Sequence, residues 1–234
     1  MQFDKALPGS ASMETGAKSH GTRTLSAVNR LRELIVTGKL KPGQRISERS
    51  LLEEEKELSR TPLREALKIL GSEGLVEITP NRGAFVTKLS MSHIDSAMEV
   101  LIGLENIAAT ASCARITETE LAEIASLHAA MIESAEDGNL LLYFQINQQI
   151  HQLIVDGAHN PALSRIYRAE SLHIKRYRYV GNIEDTRWRN ALAEHGQILE
   201  ALFRRDGLLL RELLRAHHSK GWEVTRALVE AELR

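Results

Sequence analysis

The sequence predicts a mostly α-helical protein in two parts: three helices closed by a small β-hairpin, then an all-α helical bundle. Three observations carry this reading. Apolar residues recur at three-to-four-residue spacing through most of the chain, the signature of helices with one buried face. Short β-type runs occur in one place only, residues 75–87. From Ser92 onward, strand signals vanish and Gly, Asn, Asp and Pro punctuate a continuous helical pattern. A chain of 234 residues accommodates two domains of ordinary size, each with its own core. The expected division is a flexible polar tail at 1–22, a first domain at 23–89 and a second at 92–234.

The first helix is expected from Thr24 to Thr37, with Leu25, Val28, Leu31, Leu34 and Ile35 on one face. Gly38 ends it, and residues 40–43 read as a turn. Ser47 is the N-cap of a second helix running to about Glu57, with Leu51 and Leu52 inward. Ser59 or Thr61 caps a third, with Pro62 in its first turn, where a missing N–H costs little. Leu63, Ala66, Leu67 and Leu70 form its buried stripe, and residues 71–74 close it. Residues 75–79 and 84–87 then read as strands joined by residues 80–83. Three helices followed by a hairpin describe a winged helix-turn-helix.

The second part reads as six helices, about 92–114, 118–137, 140–157, 161–180, 186–204 and 206–231. Breaks fall at residues 116–117, 137–139, 157–161, 181–182 and 206–207. Such a run of amphipathic helices with short connections packs as a bundle.

Composition narrows the function classes. The net charge of −1 hides an asymmetry: residues 22–88 hold 13 Lys/Arg against 9 Asp/Glu, net +4, and the remainder is net −5. A basic module on an acidic body suits a polyanionic partner at one end. No uninterrupted apolar run approaches the ~20 residues that span a bilayer, so no membrane partner is expected. The first residues lack a signal-peptide pattern. The lone Cys113 fits a reducing, cytoplasmic setting.

In a helix-turn-helix the later helix enters the major groove and its N-terminal side chains reach base edges. Here those are Arg60, Thr61 and Arg64. An arginine paired to guanine gives roughly 1–3 kcal/mol of discrimination. Arg49, on the preceding helix, reaches either a base or a phosphate. Arg82 at the hairpin tip enters the minor groove or touches backbone, with Gly83 allowing close approach.

Residues 32–43, the run Ile46 to Arg49, residues 59–76 and the wing at 82–86 together resemble the GntR family of bacterial transcriptional regulators. The resemblance implies that Arg49, Arg60 and Arg64 contact the operator and that Gly83 belongs to the wing. One departure is that residues 51–58 run one residue longer than usual, with Glu57 where the turn commonly has glycine; the second helix is therefore expected to be longer.

The second domain carries a different constellation. Asn147 and His151, four apart, share one face of a helix. His195 and His217 lie on two other helices within apolar patterns. Helix bundles build metal sites from facing helices in this way. Three imidazoles suit a divalent transition ion, zinc first and nickel as the alternative, with positions left open. Residues 147–163, 194–202 and 214–217 resemble the FCD effector domain of the FadR-like branch of the same family. That resemblance selects His217 over its neighbour His218. It also shows two departures: Asn147 stands where the family usually has aspartate, and Leu101 aligns with a commonly found arginine. Lys175, Arg176 and Arg178 place positive charge on the fourth bundle helix, either facing the pocket for an anionic effector or as surface charges, with Tyr143 and Tyr177 as aromatic candidates; Tyr143 and Arg176 are the candidate effector contacts.

These readings combine into a ligand-responsive, sequence-specific DNA-binding regulator. It is expected to be a homodimeric repressor that reads a pseudo-palindromic double-stranded operator and is released by a small metabolite bound near the metal. Two rivals are weighed. A metal-dependent hydrolase needs a general base beside the histidines, as in His-Glu-x-x-His, and none is found. A non-specific structural DNA-binding protein leaves the large helical domain without a use.

Overall fold

The computed structural model describes residues 11–56, 58–180 and 185–233. It divides into two compact units, Met1–Thr87 and Lys88–Arg234.

In the first unit, α1 (Ala11–Val36), α2 (Glu48–Glu54) and α3 (Arg60–Ser72) pack with a three-stranded antiparallel sheet. The strands are β1 (Arg45–Ile46), β2 (Val76–Thr79) and β3 (Gly83–Val86), in the order β1-β3-β2. The period-four stripes meet as expected: Leu31 and Ile35 from α1, Leu51 from α2, and Leu63, Leu67 and Leu70 from α3 close on Val76 and Val86. The Ser47 hydroxyl accepts from the Ser50 amide and starts α2.

The structure departs from the sequence reading at three places. Helix α1 reaches back to Ala11, into the tail expected at 1–22; residues 1–10 lie outside the described residues. The second helix stops at Glu54 rather than near Glu57. Glu55 leaves helical geometry, and its carboxylate accepts two hydrogen bonds from Arg30 of α1, at 2.7 and 2.6 Å. Glu57 itself lies outside the described residues. Finally, β1 was not foreseen: two residues carry no alternation, and Arg45 and Ile46 become a strand only by pairing with Phe85 and Ala84.

The second unit is a bundle of α4 (Met91–Arg115), α5 (Glu118–Glu136), α6 (Leu140–Asp156), α7 (Pro161–His173), α8 (Lys175–Val180), α9 (Asp185–Phe203) and α10 (Gly207–Leu233). Side-chain caps set several starts. Ser90 accepts from the His93 amide. Thr117 and Glu120 form a reciprocal capping box. Asn139 caps α6, and Asn160 caps α7 ahead of Pro161. By length and composition α4 is apolar enough to cross a membrane. Its Ile94, Met98, Leu101 and Ala108 are buried in the bundle core.

The helix expected over 161–180 is two helices. The backbone turns at the fully buried Ile174, and α8 restarts in a new phase that buries Arg176 and Tyr177. The break expected at 181–182 lies outside the described residues.

A candidate DNA-reading surface and a candidate metal centre

In the first unit, Ser59 precedes α3 in extended geometry, so the helix begins at Arg60. That start leaves Arg60, Thr61 and Arg64 exposed on the first two turns, opposite the buried Leu63, Ala66 and Leu67. Arg64 donates from Nε to Glu48 at 2.9 Å, and Arg49 to Glu53 at 2.9 Å. Both arginine side chains are more than half exposed, so these pairs hold them only weakly and leave them free to exchange partners. Asn81, Arg82 and Gly83 are exposed at the hairpin tip. Asn81 and Gly83 take left-handed backbone, φ 60° and 99°. A side chain at Gly83 would be strained there and would lie 3.5 Å from the Arg45 guanidinium, which runs along the wing. Arg45 was not singled out in the sequence because its position depends on β1.

In the second unit, α6, α9 and α10 bring His151, His195 and His217 together. Their ring centroids are 4.8 to 5.2 Å apart, and each offers a ligand atom within 4.8 Å of the others. All three are buried. Burial and the neighbouring imidazoles hold His195 well below the usual imidazole range. Burial outweighs the Glu194 hydrogen bond and holds His217 at about 3. Neutral imidazoles keep the lone pairs that a metal needs.

The protons are also arranged. His217 Nδ1 lies 2.7 Å from Glu194 Oε2, so Nδ1 donates and Nε2 is left as an acceptor. Asn147 Nδ2 donates to His195 Nε2 at 3.0 Å, while Gln148 donates to Asn147 Oδ1 at 3.1 Å. Asn147 thus turns its amide nitrogen towards the imidazoles and its oxygen towards Gln148. His151 is fully buried, yet neither ring nitrogen makes a hydrogen bond. A buried polar group without a partner is costly, and a cation resolves it. The donor set fits a transition ion with nitrogen preference.

A second buried group touches the first. Glu105 of α4 accepts from His218 Nε2 at 2.6 Å and from the Tyr167 hydroxyl. Its Oε1 lies 3.2 Å from His151 Nδ1. Burial alone would raise the Glu105 carboxyl, but His218 and His151 outweigh it and hold it well below the usual range. Burial holds His218 at about 4 despite Glu105. Sequence reading found neither Glu105 nor Glu194, and it set His218 aside. The available signal was the buried face of α4, where Glu105 is the one charged residue in a stripe running from Ile94 to Cys113.

A cavity opens beside the imidazoles, lined by Asn147, Gln148, Arg178, His217, His218 and Trp222 among others. Arg178 is therefore the basic residue of α8 that reaches it. The expected effector contacts Tyr143 and Arg176 do not line this cavity. Tyr143 is fully buried against Trp188, and Arg176 is buried on another side of α8.

Comparison with known proteins accounts for both units. Residues 23–86 match the family profile "Bacterial regulatory proteins, gntR family", and residues 96–220 match the FCD domain. The chain is a GntR-family transcriptional regulator. Its relatives include the Bacillus subtilis HTH-type regulator YdhC, 27% identical over 88% of this chain and 92% of that protein. The Nta operon regulator of Aminobacter aminovorans is 30% identical over 71% of this chain and 75% of that one. The Escherichia coli repressor RspR is 28% identical over 80% and 82%. Among solved structures, Escherichia coli McbR/YncC aligns with a TM-score of 0.77 at 22% identity, covering 88% of this chain and 98% of its own. A GntR regulator from Rhodococcus sp. RHA1 aligns at 0.69 and 19%, covering 87% and 97%. Regulators of this family bind DNA and small-molecule effectors. FCD domains can bind metal ions, and the residues of this regulator fit one.

Proposed function

We propose that this regulator is a cytoplasmic, metal-bearing, effector-responsive repressor that acts as a homodimer. The observation that carries the reading is His151: fully buried, without a hydrogen bond at either ring nitrogen, and close to two further buried imidazoles, His195 and His217. His151, His195 and His217 hold a divalent ion, zinc by donor preference, with Asn147 as a neutral fourth donor through its amide oxygen. When bound, the ion supplies a positive Lewis-acid contact for an effector oxygen.

The remaining work falls to side chains. Arg178 and Gln148 line the adjoining cavity and favour an effector with an anionic or strongly polar end. Met98, Phe144 and Trp222 line it too and take an apolar body. Asn147 leaves the site one negative charge short of an aspartate-bearing version, which strengthens its attraction for an anion.

In the first unit, Arg60, Thr61 and Arg64 read bases in the major groove, Arg49 and Arg45 contact the backbone, and Arg82 and Gly83 bring the wing to the adjacent groove. Two recognition helices in a dimer match a pseudo-palindromic operator. The effector binds the released arrangement more tightly than the operator-bound one, and that difference in affinity is what shifts the population. Repression is favoured by the likeness to RspR.

The test is fluorescence anisotropy on a labelled operator fragment at fixed salt, since phosphate contacts make affinity salt-dependent. Tight binding to the operator over random duplex, weakened by a small acid that also raises the thermal midpoint, is the expected result. Equal affinity for both duplexes would contradict sequence-specific repression. Operator affinity indifferent to every bound ligand would contradict effector control.

A further inference from the structure

Glu105, His151 and His218 also lie close enough to hold an ion themselves. Distance argues against it. Two ligands at about 2.0 Å from one tetrahedral ion stand roughly 3.3 Å apart. The 2.6 Å between Glu105 Oε2 and His218 Nε2 is a made hydrogen bond. Across the ring the situation differs: His151 Nδ1 lies 3.2 Å from Glu105 Oε1 with its nitrogen not yet aligned.

We propose that Glu105 is a positioning residue for the metal centre: it holds His151 as the Nδ1–H tautomer and so leaves Nε2 as the ligand. The proposal rests on the metal-bearing reading above. A neutral imidazole has one donor and one acceptor nitrogen, and the partner of one decides the role of the other. Glu105 is fully buried and already accepts from the Tyr167 hydroxyl and from His218 Nε2, so it meets His151 as an acceptor. The nitrogen facing it must therefore carry the proton, and the nitrogen across the ring keeps its lone pair. A small turn of the ring completes the bond.

Glu105 is itself anchored. Tyr167 from α7 and His218 from α10 both donate to it, so the carboxylate is fixed by two helices other than its own. His218 thereby has a use that its neighbour His217 does not: it restrains the carboxylate, while His217 faces the ion with Glu194 behind it. The centre has two carboxylate–histidine pairs of the same design, on different helices. Outer partners of this kind set ligand basicity and ring orientation.

The experiment measures zinc affinity by competition with a chromophoric chelator on full-length wild type, Glu105→Gln and His217→Ala. The glutamine keeps the volume but offers an amide N–H to His151, which favours the opposite tautomer. A roughly 10–100-fold weaker zinc affinity for Glu105→Gln, with operator binding retained, is expected. Unchanged affinity would overturn the positioning role while leaving the metal reading intact. Two zinc ions per wild-type chain would overturn it by making Glu105 and His218 ligands. No zinc on wild type, and no difference in His217→Ala, would remove the metal reading itself. Should Glu105→Gln not fold, long-range 1H–15N NMR of histidine-labelled, zinc-loaded wild type decides. It should show His151 protonated at Nδ1 and ligating through Nε2; the reverse assignment overturns the proposal.

Discussion

Arg64 shows how a single residue is legible and where legibility ends. Its place at the start of the second turn of a predicted recognition helix follows from the stripe of Leu63, Ala66 and Leu67, which fixes the opposite face. Its hydrogen bond to Glu48 does not follow, because that partner is sixteen positions away on α2. On the proposed reading, Arg64→Ala lowers operator affinity at least tenfold in a fixed-salt titration; an unchanged isotherm would remove Arg64 from the interface. In the candidate metal centre, the four-residue spacing points to Asn147 and His151, and resemblance supplies His195 and His217. Glu105, Glu194 and His218 were hidden because their roles depend on which helices meet. Asn147→Asp adds a carboxylate beside three buried imidazoles and should tighten zinc binding, as read by chelator competition. Equal or weaker binding would mean that residue 147 does not face the ion.

At the scale of elements, start signals read well. Ser47 caps α2 as expected, and the helices expected from 118, 140 and 161 begin at Glu118, Leu140 and Pro161, while Ser59 precedes α3 without a side-chain cap bond. Endings read less well where tertiary contacts decide them. Arg30 draws Glu55 out of α2, and the buried Ile174 divides one expected helix into α7 and α8. That division brings Arg178 to the cavity. Close packing of α10 on α4 hangs on Gly207, where an added Cβ would stand 2.9 Å from the Thr110 Cα. Backbone cannot give way as a side chain can, so Gly207→Ala should cost about 1–3 kcal/mol. For a chain of this size that is a fall of several degrees in the thermal midpoint. A midpoint equal to that of wild type would show that the two helices separate at little cost.

For the molecule as a whole, the buried imidazoles tie stability to pH. His217 and His218 are held at about 3 and about 4, against 6.5 for a free imidazole. The unfolded chain therefore binds more protons than the folded one between those values, and stability falls as pH drops below about 6.5. Urea unfolding of metal-free protein at pH 7.5, 6 and 5 should show a progressive loss, reaching about a few kcal/mol at pH 5. A flat profile would mean that the imidazoles are not buried in the neutral form. A bound ion adds stability by mass action, so chelation should lower the thermal midpoint and added zinc restore it. The central claim, that a metal sits in the effector domain of a dimeric regulator, is tested most directly by native mass spectrometry of protein purified without chelators, compared with its denatured mass. A dimer carrying one divalent ion per chain, lost in His195→Ala, is the predicted result. A dimer that is metal-free as isolated and takes up no zinc when it is supplied would contradict the claim.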